Sequence, residues 1–162
     1  MAIDHASDGI ARITDLVSSM KMLAHPASCP HLTADVNEAI RTTAVISGAA
    51  WRHICTLDLR LDADLPDLSC NIAEINQVLM NMIVNSAQAI EERTQSGSPE
   101  PGRIVIETSV SENVVCIAIR DNGAGIPAEM ETQIYDPEFT TKPPGKGTGL
   151  GLFIARGLAR AC

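Results

Sequence analysis

Between Lys142 and Leu152 the glycines fall at 145, 147, 149 and 151, with Lys146 and Thr148 between them, and an apolar run from Leu150 to Leu158 follows at once. Alternating glycines leave backbone N–H groups uncovered and let a backbone approach an anion closely. A helix that starts there turns its positive N-terminal end toward the same anion. The segment reads as a site for the phosphates of a nucleotide. A P-loop does not describe it, because that pattern needs Gly-Lys followed by Ser or Thr, and Gly145-Lys146 is followed by Gly147. A dinucleotide fingerprint has the spacing of Gly123-Ala-Gly125-Ile-Pro-Ala128. The segment behind that match, Glu129 to Tyr135, is short and mostly polar, a poor crossover helix.

The 162 residues suffice for one domain with its own core. Aromatic residues are 2% of the chain, so the core must be aliphatic. A net charge of -8 argues against a nucleic-acid-binding surface. An acidic chain that binds a nucleotide must supply positive charge locally, and Lys142 and Lys146 stand beside the glycines. The five cysteines form no C-x-x-C pair, and two of them, Cys55 and Cys116, lie in strand-like runs. They read as buried free thiols in a reducing cytoplasm. The chain shows neither a signal peptide nor an apolar run long enough to cross a membrane, so the expected location is cytoplasmic.

Residues 3 to 24 carry a heptad seam, Ile3, Ala6, Ile10, Ile13, Val17, Met20 and Ala24, and are expected to form a helix that needs a partner. His25-Pro26 and Ser28-Cys-Pro30 end it. Asp35 with Glu38 predicts a capped helix over about 36 to 52, and Asn71 with Glu74 another reaching about Arg93. Ile54 to Leu61 alternates as a half-buried strand and Asp62 to Pro66 turns. Arg103 to Val110 and Val114 to Arg120 form a hairpin, 129 to 135 a short helix, and Leu150 to Arg160 a last helix.

On the helix expected from residue 72, Gln77, Asn81 and Asn85 recur every four residues amid apolar neighbours. Asparagine is a poor helix former that competes for backbone hydrogen bonds. Its amide oxygen is a neutral ligand suited to a Mg²⁺ that already carries phosphate oxygens. Asp121-Asn-Gly-Ala-Gly-Ile-Pro127 follows a strand. Its carboxylate can accept from an exocyclic amine such as that of adenine, and Gly123 and Gly125 would let a flat base lie against the backbone.

In this order and spacing these motifs resemble the ATP-binding domain of sensor histidine kinases of two-component systems, closest in style to the nitrogen-regulation and oxygen-sensing kinases. Asn81-Met-Ile-Val-Asn85-Ser-Ala-Gln-Ala89 looks like the N box, and Asp121 to Pro127 like the first glycine box. Tyr135-Asp-Pro-Glu-Phe-Thr-Thr-Lys142 looks like the F box, and Gly147-Thr-Gly-Leu-Gly-Leu152 like the second glycine box. The resemblance implies an α+β fold, a two-layer sandwich of the kind shared with gyrase-type ATPases, Hsp90 chaperones and MutL proteins. In it a mixed sheet is covered on one face by helices. It implies ATP and Mg²⁺ as cofactors, with Asn85 as the Mg²⁺ ligand supported by Asn81. Asp121 would bind the adenine amine, with Gly123, Gly125 and Ile126 at the base. Lys142, Lys146, Gly147, Thr148, Gly149, Leu150, Gly151 and Leu152 would form the lid or lie at its end near the phosphates. Residues 1 to 30 resemble part of a dimerisation and phosphotransfer hairpin, and 31 to 162 the catalytic domain.

The implied partners are a phospho-accepting histidine helix, a response regulator and a second copy through residues 3 to 24. His5, His25, His31 and His53 are not followed by Glu or Asp, so none fits the acceptor box, and no catalytic residue is assigned. Glu138 stands where this type of lid usually has phenylalanine, and Tyr135 replaces another. The family continues into two further strands, without which the strand 114 to 120 would lack a neighbour. Low stability or self-association is the expectation. Two alternatives to a kinase domain are a non-catalytic dimerisation module and another ATPase or serine kinase of the superfamily.

Overall fold

A computed structural model describes residues 32–112, 114–142 and 149–159. The expected helix over 3 to 24, the proline breaks behind it, and Lys146, Gly147 and Thr148 lie outside the described residues. The chain divides into two compact units between Ile126 and Pro127.

The first unit runs β1 (Leu32–Ala34), α1 (Val36–Ile46), the single turn α2 (Gly48–Trp51), β2 (Cys55–Arg60), β3 (Leu68–Cys70), α3 (Ile72–Gln95), β4 (Gly102–Ser111) and β5 (Val114–Asp121). β2 pairs in parallel with β4, from Cys55 opposite Gly102 to Arg60 opposite Glu107. β4 pairs antiparallel with β5, from Ile104 opposite Asp121 to Ser111 opposite Val114. A parallel pair needs a long crossover, and α3 lies within it. The sheet is therefore mixed, in the order β2–β4–β5. Among the described residues β5 pairs only with β4.

One face of this sheet carries the core. Val36 and Ile40 of α1 meet Leu79, Ile83, Ala87 and Ile90 of α3 over Ile104 and Ile106 of β4. Every one of these is aliphatic, as the scarcity of aromatic residues required. Alternation along β4 puts Gly102, Ile104, Ile106 and Thr108 inside. Gly102 is held to glycine by that packing, since a Cβ there would lie 2.5 Å from Ile90 Cγ2 and 2.8 Å from Cys55 Cβ.

The opposite face is charged. Arg103 pairs with Asp58 at 3.0 Å, Asp58 with Arg60 at 3.1 Å, Arg60 with Glu107 at 3.0 Å, and Glu107 with Arg120. The Arg103 and Arg60 guanidiniums hold the Asp58 carboxyl below the usual aspartate range. Such exposed pairs contribute little each. A depression of about 250 Å³ lies over Val105 between Arg60, Arg103 and Arg120, on the side away from α1 and α3.

Inside, a polar trio ties α1 to the sheet. The Thr108 hydroxyl donates to Asn37 Oδ1 at 3.0 Å and accepts from the Asp62 N–H at 2.9 Å, while Asn37 Nδ2 donates to the Asp62 carbonyl at 2.7 Å. Thr108→Val keeps the shape and strands two partners, the buried Asn37 Oδ1 and the half-buried Asp62 N–H. We expect it to cost about 1–3 kcal/mol, read as a lower urea midpoint at unchanged slope.

Several expectations are corrected. The helix over 36 to 52 stops at Ile46, and Gly48–Trp51 forms a separate turn, because Ser47-Gly48 pairs two weak helix formers. Asp35 caps α1 by accepting from Glu38 N at 3.0 Å. Asn71 caps α3 at Ala73 N, and its amide donates to the Glu74 carboxylate instead of exchanging backbone bonds with it. The three-residue strands β1 and β3, paired antiparallel, were not foreseen. Cys116 is exposed on the charged face and Cys55 is half-buried, so of the described thiols only Cys70 fits the buried reading.

In the second unit, the expected helix over 129 to 135 is two 3-10 turns, Ala128–Met130 and Gln133–Tyr135. The stretch is too short and polar to propagate an α-helix. The last helix, α4, spans Gly151–Ala159. The Tyr135 ring lies under the Arg156 guanidinium at 5.1 Å, a contact that joins the second turn to α4.

Candidate functional site

The asparagine stripe lies on α3 as expected. Asn81 and Asn85 are half-buried, one turn apart, and Ala89 continues their line by a further turn. Helical rise puts Asn85 about 6 Å and Asn81 about 12 Å along the axis from Ala89. The adjacent face, Ile83, Ser86, Ala87 and Ile90, is buried.

Asp121 is the last residue of β5. Its Oδ2 accepts from the Ser86 hydroxyl at 3.0 Å, and its Oδ1 accepts from the Gly123 N–H at 2.9 Å. The loop after it is seated on α3 by backbone, with the Ala124 N–H donating to the Ala89 carbonyl at 3.0 Å. Asn122 fastens the loop to the start of β4. Its Oδ1 accepts from Arg103 N at 2.8 Å, its Nδ2 donates to the Pro101 carbonyl at 2.9 Å, and its own N–H donates to the Arg103 carbonyl at 3.2 Å. The sheet and α3 together thus fix the carboxylate.

The two glycines of this loop differ in what they do. A Cβ on Gly123 would lie 2.6 Å from Ala89 Cβ and 2.7 Å from its carbonyl carbon, so glycine there is demanded by the approach of loop to helix. Gly125 has φ +76° with open space around it, which leaves backbone accessible beside Ile126, itself 53% exposed. Asn81, Asn85, Asp121, Gly123, Gly125 and Ile126 all belong to the first unit, and the structure brings Asp121 and Gly123 against α3 directly beyond Asn85. Residues that sequence reasoning missed are Ser86, Ala89 and Asn122. A small residue one turn past Asn85 on the polar stripe was the available sign of a close approach.

The lid candidates lie in the second unit. Lys142 is half-buried, with its N–H on the Thr140 hydroxyl at 3.2 Å. Gly149 and Leu150 lead into α4, whose first residues are Gly151 and Leu152, and the Ile154 N–H donates to the Leu150 carbonyl at 2.9 Å. Gly149 has φ +67°, and a Cβ on it would lie 2.3 Å from the Glu138 carbonyl carbon. Glu138 also has a left-handed backbone, φ +65°. Residues 138 and 149, which flank the candidate lid segment, therefore meet backbone to backbone at a point that admits only glycine on one side. Among the described residues no group of three or more His, Cys, Asp or Glu converges as a metal site. The side chains at 81 and 85 on α3 are amides.

A mixed sheet under two helices, with a strand-end carboxylate and glycine loop seated on the helix that carries the asparagine stripe, defines a nucleotide-binding ATPase fold. Residues 70–162 match the family model of histidine kinase-, DNA gyrase B- and HSP90-like ATPases, and the chain belongs to that family. Within it the chain is similar to sensor histidine kinases. It is 37% identical over 154 residues to the signal transduction histidine-protein kinase AtoS of Escherichia coli (strain K12), which covers 94% of this chain and 24% of that protein. The chain thus spans about a quarter of that relative's length. The nucleotide-free catalytic domain of the histidine kinase ThkA is 32% identical with a TM-score of 0.60, covering 78% of each chain. Full-length ShkA in complex with AMPPNP shares the fold over 99% of this chain and 32% of its own, with a TM-score of 0.77 at 18% identity.

Proposed function

We propose that the chain is the Mg-ATP-binding catalytic domain of a sensor histidine kinase. It would present the γ-phosphoryl group of ATP to a histidine on a partner helix, from which it would pass to an aspartate of a response regulator. The observation that carries this reading is the seating of the Asp121 loop on α3 at Ser86 and Ala89, directly beyond Asn85.

The residues fit the ligands. Asp121 offers a fixed acceptor for the adenine amine, and the open backbone at Gly125 leaves room beside it for a flat base. Asn85, supported by Asn81, offers Mg²⁺ a neutral oxygen that does not repel the triphosphate. Lys142, Lys146 and the backbone of 147–152 would neutralise and hold the phosphates. ATP supplies the reactive phosphoryl group, and the chain's own work is positioning and charge neutralisation. The reading places the protein in the cytoplasm, with a second copy engaged through residues 3–24. Among the described residues no helix is long and apolar enough to cross a membrane.

Calorimetric titration with a non-hydrolysable ATP analogue is expected to show one site that needs Mg²⁺. A folded chain that binds no nucleotide under these conditions would leave the proposal without support.

A further inference from the structure

Asp121 is held at both carboxylate oxygens, and the two donors come from different elements. The Gly123 N–H reaches Oδ1 from the loop and the Ser86 hydroxyl reaches Oδ2 from α3. The torsion that turns an aspartate carboxylate is broad and roughly two-fold. The loop donor alone leaves that rotation soft, and a second donor on the other oxygen fixes the plane. Ser86 is only 6% exposed, so the hydroxyl end of this bond is sheltered, while Asp121 itself is exposed.

We propose that Ser86 is a positioning residue for base recognition, and that its hydroxyl sets the site's preference for a purine with an amino group over one with a carbonyl. An ionised carboxylate can only accept hydrogen bonds. Fixed in plane, Asp121 holds its remaining lone pairs in set directions, to one of which the 6-amino group of adenine would donate. The 6-carbonyl of guanine would bring a second acceptor to the same point. The single hydroxyl proton of Ser86 is committed to Asp121 and is not free to satisfy that carbonyl. With Ala at 86 the carboxylate regains its rotation, and the distinction between the two bases weakens. The inference rests on the Mg-ATP reading.

The test is a cycle of protein and ligand deletions. Wild type, Ser86→Ala and Ser86→Thr are each titrated, with Mg²⁺, against ATP, GTP and purine riboside triphosphate, which lacks the 6-amino group. Wild type is expected to prefer ATP over both analogues. In Ser86→Ala that preference falls about tenfold, while the ratio of ATP to AMP affinity, which reads the phosphate end, stays the same. Ser86→Thr keeps a hydroxyl and keeps the preference. The same ATP-to-analogue ratio in wild type and Ser86→Ala, whatever the absolute affinities, would show that Ser86 only packs. A Thr variant as unselective as the Ala variant would also overturn the inference. A wild type that selects ATP while either result holds leaves the Mg-ATP reading intact, whereas a wild type that binds no ATP removes both.

Discussion

Asn85→Ala is expected to lower Mg-dependent nucleotide affinity on the order of a hundredfold. Asn85 is a half-buried polar residue in the middle of α3, and alanine is the better helix former by several tenths of a kcal/mol, so the helix itself should persist in the variant. Calorimetry with Mg²⁺ and with EDTA separates the terms. The variant should bind in Mg²⁺ as weakly as wild type binds in EDTA. If its affinity still rises with Mg²⁺ as wild type's does, the Asn85 amide is not the ligand. Asn81→Ala should show a smaller loss of the same kind.

Gly123→Ala should have the second large effect, on binding and stability together. The new Cβ would meet the Ala89 side chain and carbonyl carbon below 3 Å, and the backbone of a packed helix cannot retreat. The loop must lift, which lengthens the bond from Ala124 N to the Ala89 carbonyl and turns Asp121 away from Ser86. Overpacking of this kind costs about 1–3 kcal/mol, and nucleotide affinity should fall tenfold or more with the aim of the carboxylate (about 1.4 kcal/mol per factor of ten). Ala89→Gly removes the side-chain collision but not the backbone one, so the double variant should recover part of both losses. Urea denaturation and titration of all four proteins of the cycle would measure the coupling. Gly125→Ala, in open space, should cost about 1–2 kcal/mol of stability for a left-handed residue, and Ala89→Gly should recover none of it. Recovery by Ala89→Gly at Gly125, or none at Gly123, would contradict the distinction drawn between them.

The difference between these glycines marks how far residues alone could lead. Alternation in β2, the hairpin and the long period of α3 were readable because each repeats a pattern over several turns or several strand residues. β1 and β3 are three residues long, too short to show a period, and they exist because they pair with each other. The break at Ser47-Gly48 hides inside an otherwise continuous helical pattern. Asp121 and Asn85 could be singled out by residue type and local motif. The bond from Ser86 to Asp121 joins positions 35 residues apart, and nothing near either residue announces it. At Gly123 the local motif suggests room for a base, and the structure adds a demand the motif does not show, the close approach of Ala89. Asn122 lies within a recognised motif, yet its role is set by Pro101 and Arg103, at the start of β4.

The place of α3 in the chain has a kinetic consequence. The parallel register of β2 and β4 brings Cys55 opposite Gly102, and every residue of α3 lies between them. Closing so long a connection is slow, because its entropy is lost before the non-local contacts form. The sheet cannot complete its register without drawing α3 onto it, and α3 carries Asn81, Asn85 and Ser86. Maturation of the core and assembly of the proposed binding surface are then one event. Ligand that recognises only the finished arrangement pulls the whole unit toward the native state, so abundant nucleotide would act as a folding ligand for the newly made chain.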